Sequence, residues 1–314
     1  MEKKRFKKEK FVEIMFKAVV FTVLALWSIA MLYMLVWGLL TSLKSDTDFS
    51  TFMNYLGIPD RKWSKSEILF GNYKLIFENF TLNKSTIFYM GNTLVTHRTK
   101  SNFLTMCFNT IVYALGSACL TAIVCYLVSY LCCKYKFKFS KFLYAYVVFM
   151  MATPILGGES SMISLTRSLG IYDTYFCFLL QKSTFGGMYF LVFYAFFEGL
   201  PDAYMEAAEI DGASQWRVLW NIIIPLGIKM ISTVVLINFV AYWNDYQAPI
   251  LYTPTLPTLA VGVFELCNGS GTAQLKNTPT LVSACMILVI PVALMFVCFN
   301  KKLMGNMTMG GLKG

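Results

Sequence analysis

The fold class this sequence predicts is all-α: a polytopic membrane protein of six transmembrane helices, with a charged loop, Leu200–Leu226, between the fourth and fifth. Three observations predict it. Of the 314 residues, 57% are hydrophobic and mean hydropathy is +0.57, whereas a soluble domain is nearer 45–50% apolar. Apolar runs of the roughly 20 residues a helix needs to cross a bilayer recur along the chain. Lys and Arg cluster beside those runs, as the positive-inside rule expects.

Taken in order, residues 1–16 form a basic tail containing Lys3, Lys4, Arg5, Lys7, Lys8 and Lys10. The first span is Lys17–Leu40; its apolar run is too long for a cleaved signal, and more spans follow. Residues 41–102 form a long outer segment. A membrane core, residues 103–300, holds the other five spans: Phe103–Cys132, Phe142–Ile163, Tyr172–Phe197, Gly227–Tyr252 and Leu281–Phe299. The third is broken by Pro154 and Gly157-Gly158, and the fourth by Lys182, Ser183, Thr184 and Gly186-Gly187. Residues 301–314 form a tail that opens with Lys301 and Lys302. The basic loops place both termini, the Lys134–Lys141 loop and Leu200–Leu226 in the cytoplasm. Thr41–Asn102 and the Pro254–Pro279 loop then face outward; the cations of the first count little, because long loops translocate regardless of charge. No internal repeat and no separate soluble domain is evident.

Other function classes are set aside on composition. The net charge of +10 flanks apolar spans, so it is not read as nucleic-acid affinity. The nine Cys lie mostly in apolar runs without CxxC or Cys/His ligand spacing and read as small buried hydrophobes. His97 is the single histidine and is predicted outside, which leaves little for a metal site or an acid/base pair.

The segment LPDAYMEAAEIDGASQWRVLWNIIIPL carries Asp202, Glu206, Glu209, Asp211 and Arg217. A charge at the bilayer centre costs about 2.5–3.5 kcal/mol on insertion scales, so this loop belongs in water. Pro201 suits a helix start, and Asp202 and Glu206 favour its positive end. Ala207 and Ala208 are strong helix formers with little bulk. Gly212 can break or bend the helix. A second helix is expected over Ala213–Ile223, with Trp216, Leu219, Trp220 and Ile223 at helical spacing, and Pro225 marks the start of span five. On the residues alone, two readings stand: a bent pair of helices that fits a socket on another protein, or an interfacial amphipathic helix.

The pattern Glu206-Ala207-Ala208, three residues, Gly212, nine residues, Ile222, any residue, Ile224, Pro225 resembles the EAA loop of ATP-binding-cassette (ABC) importer permeases, with Ile224 where that pattern has Leu. Flanking runs resemble the carbohydrate-uptake, maltose-type members, and their second permease subunit in particular. These are Phe108–Phe139, Thr153–Thr174, Ile210–Ser214, Trp243-Asn244-Asp245-Tyr246 and the tail Gly310-Gly311-Leu312-Lys313-Gly314. The resemblance covers roughly Phe103 to the end and is weak in the first hundred residues.

The resemblance implies a multi-pass protein of the bacterial cell membrane that forms half of a translocation pore, paired with a second permease subunit. It implies an ATPase subunit dimer and an extracellular or periplasmic sugar-binding protein as further partners, and an oligosaccharide or sugar derivative as cargo. Glu206, Ala207, Ala208, Asp211, Gly212 and Pro225 would belong to the loop that couples to the ATPase, and the glycine-rich tail would reach toward it. ATP and Mg would sit on that ATPase, with no cofactor and no catalysis on this chain, which lacks a G-x-x-x-x-G-K-[ST] sequence.

Polar groups at membrane depth are candidates for the substrate path: Lys182, Trp243, Asn244, Asp245 and Tyr246. Aromatic faces pack on sugar rings, while amides and carboxylates bind hydroxyls. Alternatively, Asn244 and Asp245 join helices, and Lys182 reaches to the outer interface. Glu159 is expected at the outer mouth. Gly269, Ser270 and Gly271, near the tip of the Pro254–Pro279 loop, are candidates for contact with the binding protein, or part of a flexible connector. Two rivals from other classes are an ion- or proton-coupled secondary transporter and a membrane-embedded enzyme. The first finds no half-to-half symmetry, and the second no intramembrane carboxylate cluster.

Overall fold

A computed structural model of the chain describes residues 2–51, 53–59, 70–90, 93–135, 138–153, 157–183, 185–269 and 275–307. Pro154, Thr184, Ser270, Gly271 and the tail 310–314 lie outside the described residues, as does the side chain of His97. The chain divides into two units, residues 1–79 with 272–287 and residues 80–271 with 288–314.

In the first unit, α1 is one 41-residue helix, Glu2–Ser42. It begins well before the expected span because the basic tail is rich in Lys and Glu, good helix formers, with no Pro or Gly before Gly38. Glu13 and Lys17 pair at 2.6 Å one turn apart. Large apolar side chains from Val12 to Leu39 are exposed along α1, a surface suited to lipid.

The end of α1 is tied down by polar groups. Asn72, on α2 (Gly71–Asn79), donates to the carbonyls of Ser42 and Lys44 at 2.9 and 2.8 Å. Ser283 donates to the Ser42 carbonyl at 2.9 Å, so carbonyls left open at the helix end find partners. The Lys44 ammonium is buried and donates to the Asn54 carbonyl at 2.6 Å. Burial pushes its pKa below the ordinary lysine value, and the Asp48 carboxylate works against that shift.

The second unit opens with an antiparallel hairpin, β1 (Thr81–Met90) and β2 (Thr93–Asn102), in register from Thr81↔Asn102 to Met90↔Thr93. This is a departure from an all-helical chain. β-Branched and aromatic residues crowd both strands, and Lys84 ties β1 to Glu265 at 2.5 Å.

Helices α3 (Phe103–Ile111) and α4 (Ser117–Lys134) are joined by a π-helical turn, Val112–Gly116, into an uninterrupted 32-residue helix. Ala114, Ala118, Ala122, Cys125 and Ser129 are buried along it. Such small side chains let neighbouring helices approach closely, and α4 packs on α5 (Lys138–Ala152), α8 (Met188–Glu198) and α11 (Ile224–Trp243).

The expected third span is shorter than read: α5 stops at Ala152, and the chain resumes as α6, Glu159–Ser168, beyond Gly157 at φ +81°. The expected fourth span is two helices, α7 (Tyr175–Lys182) and α8, with Gly187 at φ +112° in the break. The fifth begins twelve residues earlier than expected. α10 (Gln215–Val218), a π turn (Leu219–Ile223) and α11 form one 29-residue helix, Gln215–Trp243. α12 (Gln247–Tyr252) and α13 (Leu259–Cys267) follow. The last helix, α14 (Thr278–Met307), contains Pro291.

Among the described residues, four helices can cross a membrane by length and composition: Val12–Ser42, Phe103–Lys134, Gln215–Trp243 and Thr278–Phe299. Phe139–Ala152 and Met188–Glu198 are shorter apolar helices.

Candidate functional site

Two regions of the second unit carry the candidate residues. The first is the charged loop. Lys134, at the end of α4, donates to the Leu200 carbonyl at 2.6 Å and to Asp202 at 2.7 Å, which fixes where the loop leaves the membrane core. Helix α9 then runs Ala203–Ile210. It packs through one narrow face. Ala208 is buried with Tyr130, Val218 and Ile223, while Met205 is partly buried beside them.

Glu206, Ala207, Glu209, Ile210, Asp211 and Gly212 are exposed. The two alanines therefore divide their work: Ala208 faces the chain's own core and Ala207 faces outward. Ile210, 87% exposed, joins Trp216 (72%) and Trp220 (63%) as apolar groups left open on this segment.

α9 ends in a Schellman turn. The Ala213 N–H donates to the Ala208 carbonyl at 2.9 Å and the Gly212 N–H to the Glu209 carbonyl at 3.0 Å, closing orphan carbonyls around a left-handed residue. Gly212 is that residue, at φ +74°, with open space where a Cβ would stand. Glycine is needed here for the backbone angle and not for room. Gly212→Ala should cost about 1 kcal/mol or slightly more and Gly212→Asn less, read as melting temperature of the purified chain.

Ser214 caps the next helix, its Oγ accepting from the Arg217 N–H at 3.4 Å. Gln215 bridges the bend: it accepts from the Tyr135 hydroxyl at 2.5 Å and donates to Glu209 at 2.7 Å.

The second helix does not stop at Ile223, and Pro225 does not separate it from the span. The Ile224 N–H bonds back five residues to the Leu219 carbonyl. This π turn carries the helix past the proline, whose missing N–H and bulky ring break the regular i→i−4 ladder inside a helix. The second half of the charged loop, from Gln215, is thus continuous with the 29-residue helix.

The second region is a polar cluster at the other end of that helix. Asp245 Oδ2 accepts from the Tyr113 hydroxyl at 2.6 Å and pairs with the Lys182 ammonium at 3.2 Å. Asp245 Oδ1 accepts from the Ala248 N–H at 3.2 Å, within the first turn of α12. Thr121 donates to the Lys182 carbonyl at 2.7 Å and lies 3.3 Å from the Tyr242 hydroxyl. The Lys182 ammonium also stands 5.3 Å from the centre of the Tyr242 ring.

Lys182 and Asp245 are thus brought together, and their neighbours are not. Trp243 is buried against Phe239, its Nε1–H donating to the Leu288 carbonyl at 3.2 Å. Asn244 is exposed and donates to the Val240 carbonyl at 3.0 Å. Tyr246 stacks on Phe264 at 4.4 Å. Gly269 is exposed at φ +89°, just beyond α13.

Sequence reasoning missed Tyr113, Thr121 and Tyr242, whose polar atoms are inconspicuous within apolar runs. It also missed Asp173. That carboxylate accepts from the Thr255 N–H at 3.0 Å and its hydroxyl at 2.8 Å, holding the start of the Pro254–Pro279 loop. Glu159 accepts a hydrogen bond from the Tyr252 hydroxyl.

The sulfoquinovosyl glycerol transport system permease protein SmoH of Agrobacterium fabrum is 25% identical, over 66% of this chain and 72% of its own. The diacetylchitobiose uptake system permease protein NgcG of Streptomyces coelicolor is 23% identical, over 94% of this chain and 88% of its own. The trehalose transport system permease protein SugB of Mycobacterium tuberculosis is 23% identical, over 82% and 86%. A chain of a bacterial ABC transporter that imports the acidic polysaccharide alginate superposes with a TM-score of 0.71 at 19% identity, covering 91% of this chain and 96% of that one. At that identity the likeness speaks for the fold. Residues 122–303, both candidate regions apart from Tyr113 and Thr121, match the pattern of binding-protein-dependent transport system inner membrane components. That match spans more than half of the sequence, and the chain belongs to this family of membrane transport proteins.

Proposed function

We propose that the chain is one permease subunit of an ATP-driven ABC importer for a carbohydrate, an oligosaccharide or sugar derivative. The observation that carries this reading is the bent α9–α10 unit. It exposes Glu206, Ala207 and Asp211 beside Ile210 and Trp216, and it runs without a break into a transmembrane helix. A push on the loop therefore becomes a movement of the span. The carbohydrate assignment is supported by the relatives, whose names specify sulfoquinovosyl glycerol, diacetylchitobiose and trehalose.

On this reading the loop and both termini are cytoplasmic, and six segments cross the membrane. A second permease subunit completes the pore. A dimer of ATPase subunits binds ATP and Mg and holds the loop through Glu206, Ala207, Asp211 and Gly212. Ala208 acts from inside, anchoring α9, and Pro225 is seated in the helix that transmits its movement. A sugar-binding protein delivers cargo on the outer side, where Gly269 with Ser270 and Gly271 would meet it. ATP closes the ATPase dimer, the coupling loops approach and the pore turns outward; hydrolysis resets it. Exposed Asn244 and the Tyr246 ring are the groups placed to meet a sugar, because Lys182 and Asp245 satisfy each other.

The division of labour is tested by ATP hydrolysis. The purified chain alone should hydrolyse none, while the assembled complex should hydrolyse ATP faster when the loaded binding protein is added. Hydrolysis by the chain alone would overturn the reading.

A further inference from the structure

Tyr113, Lys182 and Asp245 come from three separate elements and meet at one carboxylate. Tyr113 lies on the π turn between α3 and α4, Lys182 is the last residue of α7, and Asp245 follows the C-terminus of α11. π turns inside helices are frequent at functional positions, and this one carries the tyrosine hydroxyl that donates to Asp245 at 2.6 Å.

Lys182 stands at the edge of the break between α7 and α8, where Gly187 adopts a φ of +112° with open space where a Cβ would stand. The backbone at its edge is held from α4 by Thr121, through the Lys182 carbonyl at 2.7 Å, while the Lys182 side chain reaches Asp245 at 3.2 Å. The cluster is largely withdrawn from solvent: the side chains of Lys182 and Asp245 are 23% and 18% exposed, and Tyr113 is buried. A charge in such a place is stable when paired and costly when alone, so the pair is either made or replaced by another arrangement.

Asp245 lies just past the end of the helix Gln215–Trp243. At 1.5 Å per residue that helix is about 43 Å long, and its other end is the charged loop. We propose that Lys182 and Asp245, with Tyr113, form a latch. It fastens the break in the fourth apolar segment to the far end of the coupling helix, so that displacement of the loop is felt at the break. This rests on the reading of the loop as the ATPase contact. Lys182, Asp245 and Tyr113 are positioning residues in it: they hold backbone segments in one of two arrangements and touch no nucleotide.

The test uses the complete complex, with its partner permease, ATPase and binding protein, in proteoliposomes. ATP hydrolysis without binding protein and cargo moved per ATP are measured together. Lys182→Gln and Asp245→Asn should each raise binding-protein-independent hydrolysis about tenfold, within the ordinary range of coupling between distant sites, and lower the cargo moved per ATP. The charge-swapped double variant, Lys182→Asp with Asp245→Lys, should return both values toward wild type.

Single variants that assemble and keep wild-type values of both quantities would overturn the latch. So would an equal fall in hydrolysis and transport with the ratio between them unchanged, which is what mere helix adhesion predicts. Where a charge variant fails to assemble, Tyr113→Phe decides: it removes one hydrogen bond and leaves the ion pair. It should raise unstimulated hydrolysis severalfold, and wild-type values in that variant would overturn the proposal. If the loop is not the ATPase contact, Glu206→Lys leaves the complex intact, an outcome independent of these.

Discussion

Glu206→Lys should leave the chain folded and strip it of its ATPase partner. Glu206 is exposed on the first turn of α9, so its replacement disturbs no core packing. Lys is as good a helix former as Glu. The internal cost is confined to placing a cation where the helix dipole favours an anion, about 0.3–1 kcal/mol. A reversed charge within a desolvated contact costs about 2–5 kcal/mol, which is roughly thirtyfold to several thousandfold in affinity. The variant should be recovered from membranes in normal amount, melt within a few degrees of wild type, and fail to copurify with the ATPase. Normal copurification and transport would remove Glu206 from the coupling contact.

Gly227→Val should damage the fold itself. A Cβ at Gly227 would stand 2.1 Å from the Tyr126 hydroxyl and 2.5 Å from two ring carbons. That ring cannot yield cheaply. Its hydroxyl donates to the Ile223 carbonyl at 2.5 Å, and its faces and edges meet Phe193 at 5.2 Å and Phe197 at 4.8 Å. Overpacking a full core costs about 1–3 kcal/mol and at times more, and a branched side chain here should reach the upper end. The expected result is poor recovery of monodisperse protein in detergent and a lowered melting temperature. Tyr126→Leu in the Gly227→Val background should recover part of the loss. Unchanged stability of Gly227→Val would mean that α4 and α11 do not approach this closely.

The apolar runs disclosed most of the helices, because the bilayer imposes a length and a composition that hydropathy reports directly. They disclosed the joints less well. Pro225 reads as a boundary, yet a π turn at Leu219–Ile223 carries the helix past it. The fourth run reads as one interrupted span, and at the interruption α7 and α8 are separate helices with Gly187 at φ +112° before the second. Hydropathy averages over a window, whereas a helix ends on one or two backbone angles.

The hairpin is legible in the Thr-rich stretches, with Ile87, Phe88, Tyr89 and Val95, that flank Gly91-Asn92, a turn signal. It was passed over as loop because its alternation is weak beside the membrane spans. In the candidate regions, Lys182 and Asp245 could each be named from their depth in apolar runs. That they share one carboxylate with Tyr113 depends on which faces α4, α7 and α11 present to each other, which periodicity along one chain does not specify. Gly212 was legible as the residue that breaks or bends the helix; that it closes a Schellman turn just before a capping Ser214 was not.

The most direct test of the account is the energy source of transport. The chain, reconstituted with its partner permease, ATPase and sugar-binding protein, would be assayed for uptake of labelled sugar. The account predicts uptake that requires ATP and the binding protein, stops with vanadate, and persists when a protonophore collapses the proton gradient. Uptake that is indifferent to vanadate and abolished by the protonophore would contradict it and make this chain an ion-driven carrier.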